Sequence, residues 1–145
     1  MRKKFLALAL IGILGFTGCS KTASNDAKEV TVSGVTVSGP LGSAPTVTFT
    51  DNAAPVTNLQ SKDAFVGSGD VVGADSTVTA HYAGYGMTSK QKFDSSWDRG
   101  QPISFPLNKV IVGWKEGLQG MKVGGRRVLV IPGELAYGAN PWSQP

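Results

Sequence analysis

The chain has 145 residues, room for one domain with a tail. Its single cysteine, Cys19, excludes an intrachain disulfide, and its single histidine, His81, excludes the usual Cys/His zinc clusters. The formal net charge of +4 falls to +1 when the leader carrying Arg2, Lys3 and Lys4, but none of the 10 acidic residues, is set aside; a nucleic-acid partner is therefore unsupported.

Those three cations head the apolar run from Phe5 to Phe16. A charged start, an apolar stretch too short to span a bilayer and small residues after it describe a secretory leader over 1–18. Phe16-Thr17-Gly18-Cys19-Ser20 resembles a bacterial lipobox, although Leu is the more usual residue where Phe16 stands. An ordinary cleaved leader with an incidental cysteine is the alternative. The lipobox reading places the protein outside the cytoplasm, held on the cell membrane through a lipidated Cys19, because two or more acyl chains suffice for stable anchoring.

Residues 20–29 are small and polar and read as a flexible tether. From Val30 the sequence Val-Thr-Val-Ser-Gly-Val-Thr-Val-Ser-Gly alternates strictly, and Pro45 to Phe49 continues the pattern. These are half-buried strand candidates, with a solvated linker as the alternative. The expected division is a tether and Val/Thr-rich strand segment over 19–54, then a domain over 55–145.

Within that domain, strand-like pieces recur at 64–66 and 76–82. Val78, Ala80 and Tyr82 share one face of the second, with Thr77, Thr79 and His81 on the other, so His81 is expected on the outer side without a role. Gly84 and Gly86 are expected to open a turn. Gln91–Phe93 and Ile103–Leu107 suggest a further strand pair. Val112 to Leu118 reads as the one helix, kept short by glycines at 113, 117 and 120. After the Gly124-Gly125 turn, Arg126 to Ile131 forms an apolar run that implies burial on both faces, stopped by Pro132-Gly133. The total is an α+β arrangement, a twisted antiparallel sheet wrapped on one short helix.

The chemistry is conspicuous for what it lacks. No Gly-x-Ser-x-Gly elbow, phosphate loop or Gly-x-Gly-x-x-Gly occurs. Asp94 to Gly100 superficially resembles a calcium loop, but its twelfth position is Phe105 where a bidentate Glu belongs. No metal or cofactor is expected. What remains is His81-Tyr-Ala-Gly84, Phe93-Asp-Ser-Ser-Trp-Asp-Arg99, Val110-Ile-Val-Gly-Trp114, Gly120-Met-Lys-Val-Gly-Gly-Arg-Arg127 and Leu135-Ala-Tyr-Gly138, in that order.

This constellation, over roughly residues 65–140, resembles the FK506-binding-protein (FKBP) family of peptidyl-prolyl cis-trans isomerases. The resemblance implies that Trp114 forms the floor of a pocket for the substrate's proline ring, with Tyr82, Phe93, Val110 and Ile111 as walls and Ile103 where the family often has phenylalanine. It implies that Tyr82 and Arg99 hold Asp94, and that the Ile111 N–H and the Tyr137 hydroxyl grip substrate carbonyls. On the residues alone, Tyr82, Phe93 and Trp114 could equally be core aromatics, and Asp94–Arg99 a surface ion pair worth little. The implied partners are proline-containing polypeptides and a macrolide of the FK506 type; the implied role is folding of exported proteins. A non-catalytic module holding proline-containing or unfolded segments, and a surface lipoprotein with a vestigial domain, are the competing readings.

Two departures from the family pattern stand out. Only Asn108 and Lys109 separate Leu107 from Val110, about two residues fewer than is common. The family also implies an apolar flap and a final strand in the middle of the sheet beyond Leu135-Ala-Tyr-Gly138, whereas the sequence runs only to Pro145. The expectation is thus a domain incomplete at its C-terminus, with two strands left facing an empty central position and weak activity as a result.

Overall fold

The computed structural model describes residues 7–12 and 27–137. Its elements are β1 (Ala7–Gly12), β2 (Val30–Val32), β3 (Val35–Ser38), β4 (Thr46–Phe49), β5 (Gln60–Phe65), β6 (Thr77–Gly86), β7 (Lys92–Ser95), β8 (Ile103–Pro106), α1 (Val112–Leu118) and β9 (Arg126–Ile131), with short 3-10 turns at Leu107–Lys109 and Gly133–Leu135. The expected α+β architecture is what forms: one six-stranded sheet, one three-stranded sheet, and a single short α-helix among the described residues.

The main sheet runs β5-β9-β1-β6-β7, and β8 pairs with β6 beside β7. Every pairing is antiparallel. The expected vacancy in the middle of the sheet is not there. Residues 7–12, assigned above to a discarded leader, pair along their whole length with β6 on one side and β9 on the other. An extended apolar segment satisfies backbone donors and acceptors that two flanking strands would otherwise leave unpaired, at about 1–3 kcal/mol for each buried group. The lipobox, Cys19 and the tether up to residue 26 lie outside the described residues, as does everything beyond Tyr137, where the flap is expected.

The Val/Thr-rich segment folds as strands. Ser33 and Gly34, with φ of 48° and 79°, make the tight turn between β2 and β3, and β4 adds to the outer edge. Val30, Val35 and Val37 turn inward onto Ala64, Val128 and Val130 of the main sheet and Met87 just beyond β6, while Thr31 and Thr36 pair hydroxyl to hydroxyl on the outside at 2.8 Å. The two sheets are also tied by a buried cation. Arg126 is 1% exposed, and its guanidinium donates to the carbonyls of Gly39 and Pro40, both at 2.9 Å, and of Ser43 at 2.8 Å.

β9 is buried on both faces, as its unbroken apolar run implies. Val128 and Val130 face the small sheet, and Leu129 and Ile131 face α1. The helix lies close enough that a Cβ at Gly113 would come within 2.3 Å of Ile131 Cγ2, and one at Gly117 within 2.7 Å of Leu129 Cδ2. The glycines that cost the helix propensity are thus the ones that let it dock. Arg127 closes the helix's C-terminal end, donating to the carbonyls of Gly117 and Gln119 while forking onto Asp63 at 2.6 and 3.0 Å.

β6 departs from the sequence reading. It runs on through Gly84, with a register shift against β7 between Gly84 and Tyr85, and ends at Gly86, which does open the turn at 87–89: the Lys90 N–H donates to the Gly86 carbonyl at 2.8 Å and the Gly86 N–H to the Gln91 carbonyl at 2.9 Å. Gly84 serves a neighbour's side chain instead of the turn. The Phe93 ring lies across the strand so closely that a Cβ at Gly84 would meet its Cζ at 2.7 Å.

Candidate active site

One face of the main sheet gathers an aromatic cluster. Trp114, delivered by the first turn of α1, sits edge-on to Tyr82 of β6, with ring centroids 5.3 Å apart and planes at 73°. It also lies 5.0 Å from the ring of Phe105 on β8. Ile103, Val110 and Ile111 pack against the same core, as do Leu135 and Ala136. Trp114 and Tyr82 are each 8% exposed, so both rings are nearly dry.

Phe93 and Tyr137 stand apart from this buried group. Their rings meet edge to face, with centroids 6.3 Å apart and planes at 88°. They are 52% and 38% exposed, an apolar pair presented to solvent. A single ionised group links the dry and the open parts. The Tyr82 hydroxyl donates to Asp94, the residue after Phe93, while Arg99 donates to Asp94 Oδ1 at 2.6 Å and to the Tyr82 hydroxyl at 2.7 Å. Each member therefore touches the other two.

The electrostatics follow from that triangle. Burial works to raise the Asp94 carboxyl, but hydrogen bonds from Tyr82 and Arg99 and the charge of Arg99 outweigh it and hold the group below its usual value. Burial, then the bond to Asp94, pushes the Tyr82 phenol up. Burial and, secondarily, the nearby Asp94 raise Tyr137. The carboxylate thus stays ionised and fully engaged, and both phenols stay protonated as hydrogen-bond donors. Among the described residues, no group of three or more His, Cys, Asp or Glu is placed to hold a metal ion.

The structure thus brings Tyr82, Ile103, Val110, Ile111 and Trp114 together, with Asp94 and Arg99 fastened to Tyr82 and the Phe93–Tyr137 pair beside Asp94. Cys19 lies outside the described residues. Two participants escaped the sequence reading. Phe105 is a wall of the Trp114 site, and its signal was the alternation of Ile103 and Phe105 on one face of β8, continued by Leu107 just after it. The other is His81, which is not on an outer solvent face: it is 6% exposed, because the 95–99 turn folds over it. Trp97 stacks on its ring at 3.8 Å and 12°, and Ser96 Oγ lies 3.0 Å from its Nδ1. Ser96 also accepts the Tyr82 N–H at 2.8 Å, and its own N–H donates to the Tyr82 carbonyl at 3.0 Å. No periodicity announces a polar turn that covers a strand.

Comparison with known proteins agrees with this geometry. The FKBP-type peptidyl-prolyl cis-trans isomerase family matches residues 69–145. An FK506-binding protein of Streptomyces anulatus is 48% identical over 96 residues, covering 65% of this chain and 77% of its own length. A probable FK506-binding protein of Corynebacterium glutamicum is 49% identical over 88 residues, covering 61% of this chain and 75% of its own. The FKBP-type isomerase FkpA of Aeromonas hydrophila is 49% identical over 73 residues, 50% of this chain but 27% of the relative. With its antiparallel sheet, single short helix and aromatic cluster around Trp114, the chain belongs to the FKBP-type peptidyl-prolyl cis-trans isomerases.

Proposed function

We propose that the isomerisation runs at the Trp114 site by stabilising the twisted amide, and that the protein does this for exported polypeptides while anchored to the outer face of the cell membrane. Rotating an X–Pro bond crosses a barrier of ~18–20 kcal/mol because resonance is lost midway. No covalent bond breaks, so neither nucleophile nor cofactor is called for. The proline ring rests on Trp114 between Tyr82, Phe93, Ile103, Val110 and Ile111. In this dry setting the planar amide, with its larger charge separation, loses more solvation than the twisted one, which is differential binding of the transition state. The Tyr137 hydroxyl and the Ile111 N–H fix the flanking carbonyls. Lowering the barrier by about 7 kcal/mol would give roughly a 10⁵-fold acceleration.

The observation that carries this reading is a nearly dry Trp114–Tyr82 pair beside the half-exposed Phe93, with Asp94 and Arg99 bonded to each other and each to the Tyr82 hydroxyl. Arg99 and Asp94 therefore position and do not transfer protons. The same surface would accept an FK506-type macrolide. In a protease-coupled prolyl-peptide assay, Phe93→Ala lowers kcat/KM at least about 10-fold, or 1.4 kcal/mol, with the unfolding curve unchanged; a Phe93→Ala protein of full activity sinks the assignment. Membrane attachment is tested separately: Cys19→Ser should move the protein from the membrane fraction to the soluble fraction and abolish incorporation of labelled fatty acid.

A further inference from the structure

Phe93 stands at an irregular place in the ladder. Along β6 and β7, Gly84 faces Asp94 and Tyr85 faces Lys92, so one step on β6 spans two on β7 and Phe93 has no opposite number. A bulge of this kind bends its strand and re-aims a side chain; here the ring comes to lie on Gly84. The bulge also weakens the support. Past it, the hairpin tip is held by the Tyr85–Lys92 pair and by the turn bonds of Gly86 to Lys90 and Gln91. On the pocket side the Phe93 ring has the edge contact with Tyr137, and Lys92 adds an exposed ion pair to Asp98 at 2.7 Å, of little energetic weight. These contacts leave the tilt of the hairpin weakly set.

Firmer contacts lie on its back. Side chains alternate along a strand, so Tyr85 points away from the face that Tyr82 and Gly84 share. Its ring packs on Phe49 of β4, with centroids 6.1 Å apart and planes at 57°, and both rings pack against the buried cluster of Val35, Val37, Val128 and Val130. Lys90 Nζ donates to the Thr50 carbonyl at 3.4 Å. The same stretch of chain is fastened twice more, by the Arg126 guanidinium on β9 and by the Lys28 N–H, which donates to the Ala64 carbonyl of β5 at 3.0 Å. Residues 28–50 thus reach behind the main sheet from β5, past β9, to the β6–β7 hairpin. They precede residue 69, where the family's own stretch begins, and they follow Cys19, so leader removal keeps them.

We propose that the small sheet braces the isomerase pocket, with Phe49 and Tyr85 as positioning residues that steady the bulge and so hold Phe93 in place, a role that rests on the assignment of catalysis to the Trp114 site. Neither residue touches substrate. Trimming Phe49 takes away the seat of Tyr85, the hairpin rocks about the bulge, and the Phe93 ring slides on Gly84. The pocket keeps all its walls but holds one of them loosely. Proline still binds, and the twisted amide is fitted less well, so the loss falls on kcat more than on KM.

The test uses the full chain carrying Phe49→Ala, with activity read well below the unfolding temperature. The Gly84 α-protons lie under the Phe93 ring and feel its ring current; their NMR shifts should move toward the values they take in Phe93→Ala, which a change in global stability alone would not produce. In the protease-coupled prolyl-peptide assay kcat should fall by about 5-fold, short of the roughly 100-fold that a full 1 Å misplacement can cost, with KM little changed. Tyr85→Phe and Phe49→Leu keep an apolar contact between the two positions and should retain both the shifts and the rate. Phe49→Ala/Phe93→Ala should be no slower than Phe93→Ala alone, since the brace acts through that ring. If Phe49→Ala does not fold, Phe49→Val carries the same measurements with a smaller displacement. Unmoved Gly84 α-protons overturn the proposal, and so does an unchanged kcat in Phe49→Ala beside an impaired Phe93→Ala. Full activity in Phe93→Ala strikes the site assignment instead, while the Gly84 shifts still decide whether the small sheet steadies the ring.

Discussion

The clearest single perturbation is Gly84→Ala. The added Cβ would lie 2.7 Å from Phe93 Cζ and 2.9 Å from Cε2, where ordinary contact begins at 3.4 Å. The ring must therefore withdraw by about 0.7 Å, breaking its edge contact with Tyr137. Gly84 does not have a positive φ, so the backbone accepts alanine, and Phe93 is half exposed and free to swing outward. The stability loss should then stay at the low end of overpacking, about 1 kcal/mol. Misplacing a group by near 1 Å at a reacting site costs up to about 100-fold, so kcat/KM should fall about 10- to 100-fold, or 1.4–2.7 kcal/mol. The double variant Gly84→Ala/Phe93→Ala should be no worse than Phe93→Ala alone, since the alanine acts only through the ring. A protease-coupled prolyl-peptide assay beside urea unfolding reads both quantities. Full activity in Gly84→Ala, or losses that simply add in the double variant, would refute the placement of Phe93 at the site.

Three further outcomes follow from the polar ties. Tyr82→Phe removes a hydroxyl that donates to Asp94 and accepts from Arg99; NMR titration should show the Asp94 carboxyl titrating at higher pH, and unfolding should show a loss of about 1 kcal/mol. Arg126→Met leaves the carbonyls of Gly39, Pro40 and Ser43 without their buried donor, which should cost about 3 kcal/mol or more in urea unfolding and speed amide exchange in β2–β4 ahead of the main sheet. Burial holds the His81 imidazole below its usual value, so the unfolded chain takes up the proton first; the contribution is fully present above about pH 6.5 and is lost as pH falls toward the folded value. Stability measured from pH 7.5 to 5 should therefore decline, and His81→Gln should flatten the decline; an unchanged slope would remove His81 as its source.

Much of this was legible because periodicity and burial coincide. Val78, Ala80 and Tyr82 point to one face and are buried there, and Val112–Leu118 is a helix with the bounds its glycines suggest. The Val/Thr alternation, ambiguous between strand and linker, resolves to strands because its valines meet Val128 and Val130, which the run at 126–131 exposes on its second face. Failures occurred where the deciding partner is remote in sequence. Gly84 looks like part of the turn that Gly86 opens until Phe93 is seen lying on it. His81 reads as exposed until Trp97 stacks on it. The partners of Arg126 went unread, since nothing local shows that carbonyls more than 80 residues earlier will surround it. Residues 7–12 have the composition of a leader and the register of a strand, and composition alone cannot separate the two.

The distribution of charge explains why a site made of hydrocarbon can be so well defined. Aromatic contacts are weakly directional, at about 0.5–1.5 kcal/mol beyond burial, and would leave the rings around Trp114 free to shuffle. Directional bonds supply what packing does not. Asp94 and Arg99 fix the Tyr82 ring from its hydroxyl end, and Ser96 fixes its backbone from both N–H and C=O. On the far side, Arg127 pins the C-terminal end of α1, the helix whose first turn carries Trp114, against Asp63 on β5. The charges therefore lie around the site as ties, outside the space where the proline ring would rest, and the interior stays apolar enough to favour a twisted amide over a planar one. Moving one charge inward would supply the planar form with the solvation its removal from water takes away, and the rate advantage would shrink even if binding tightened.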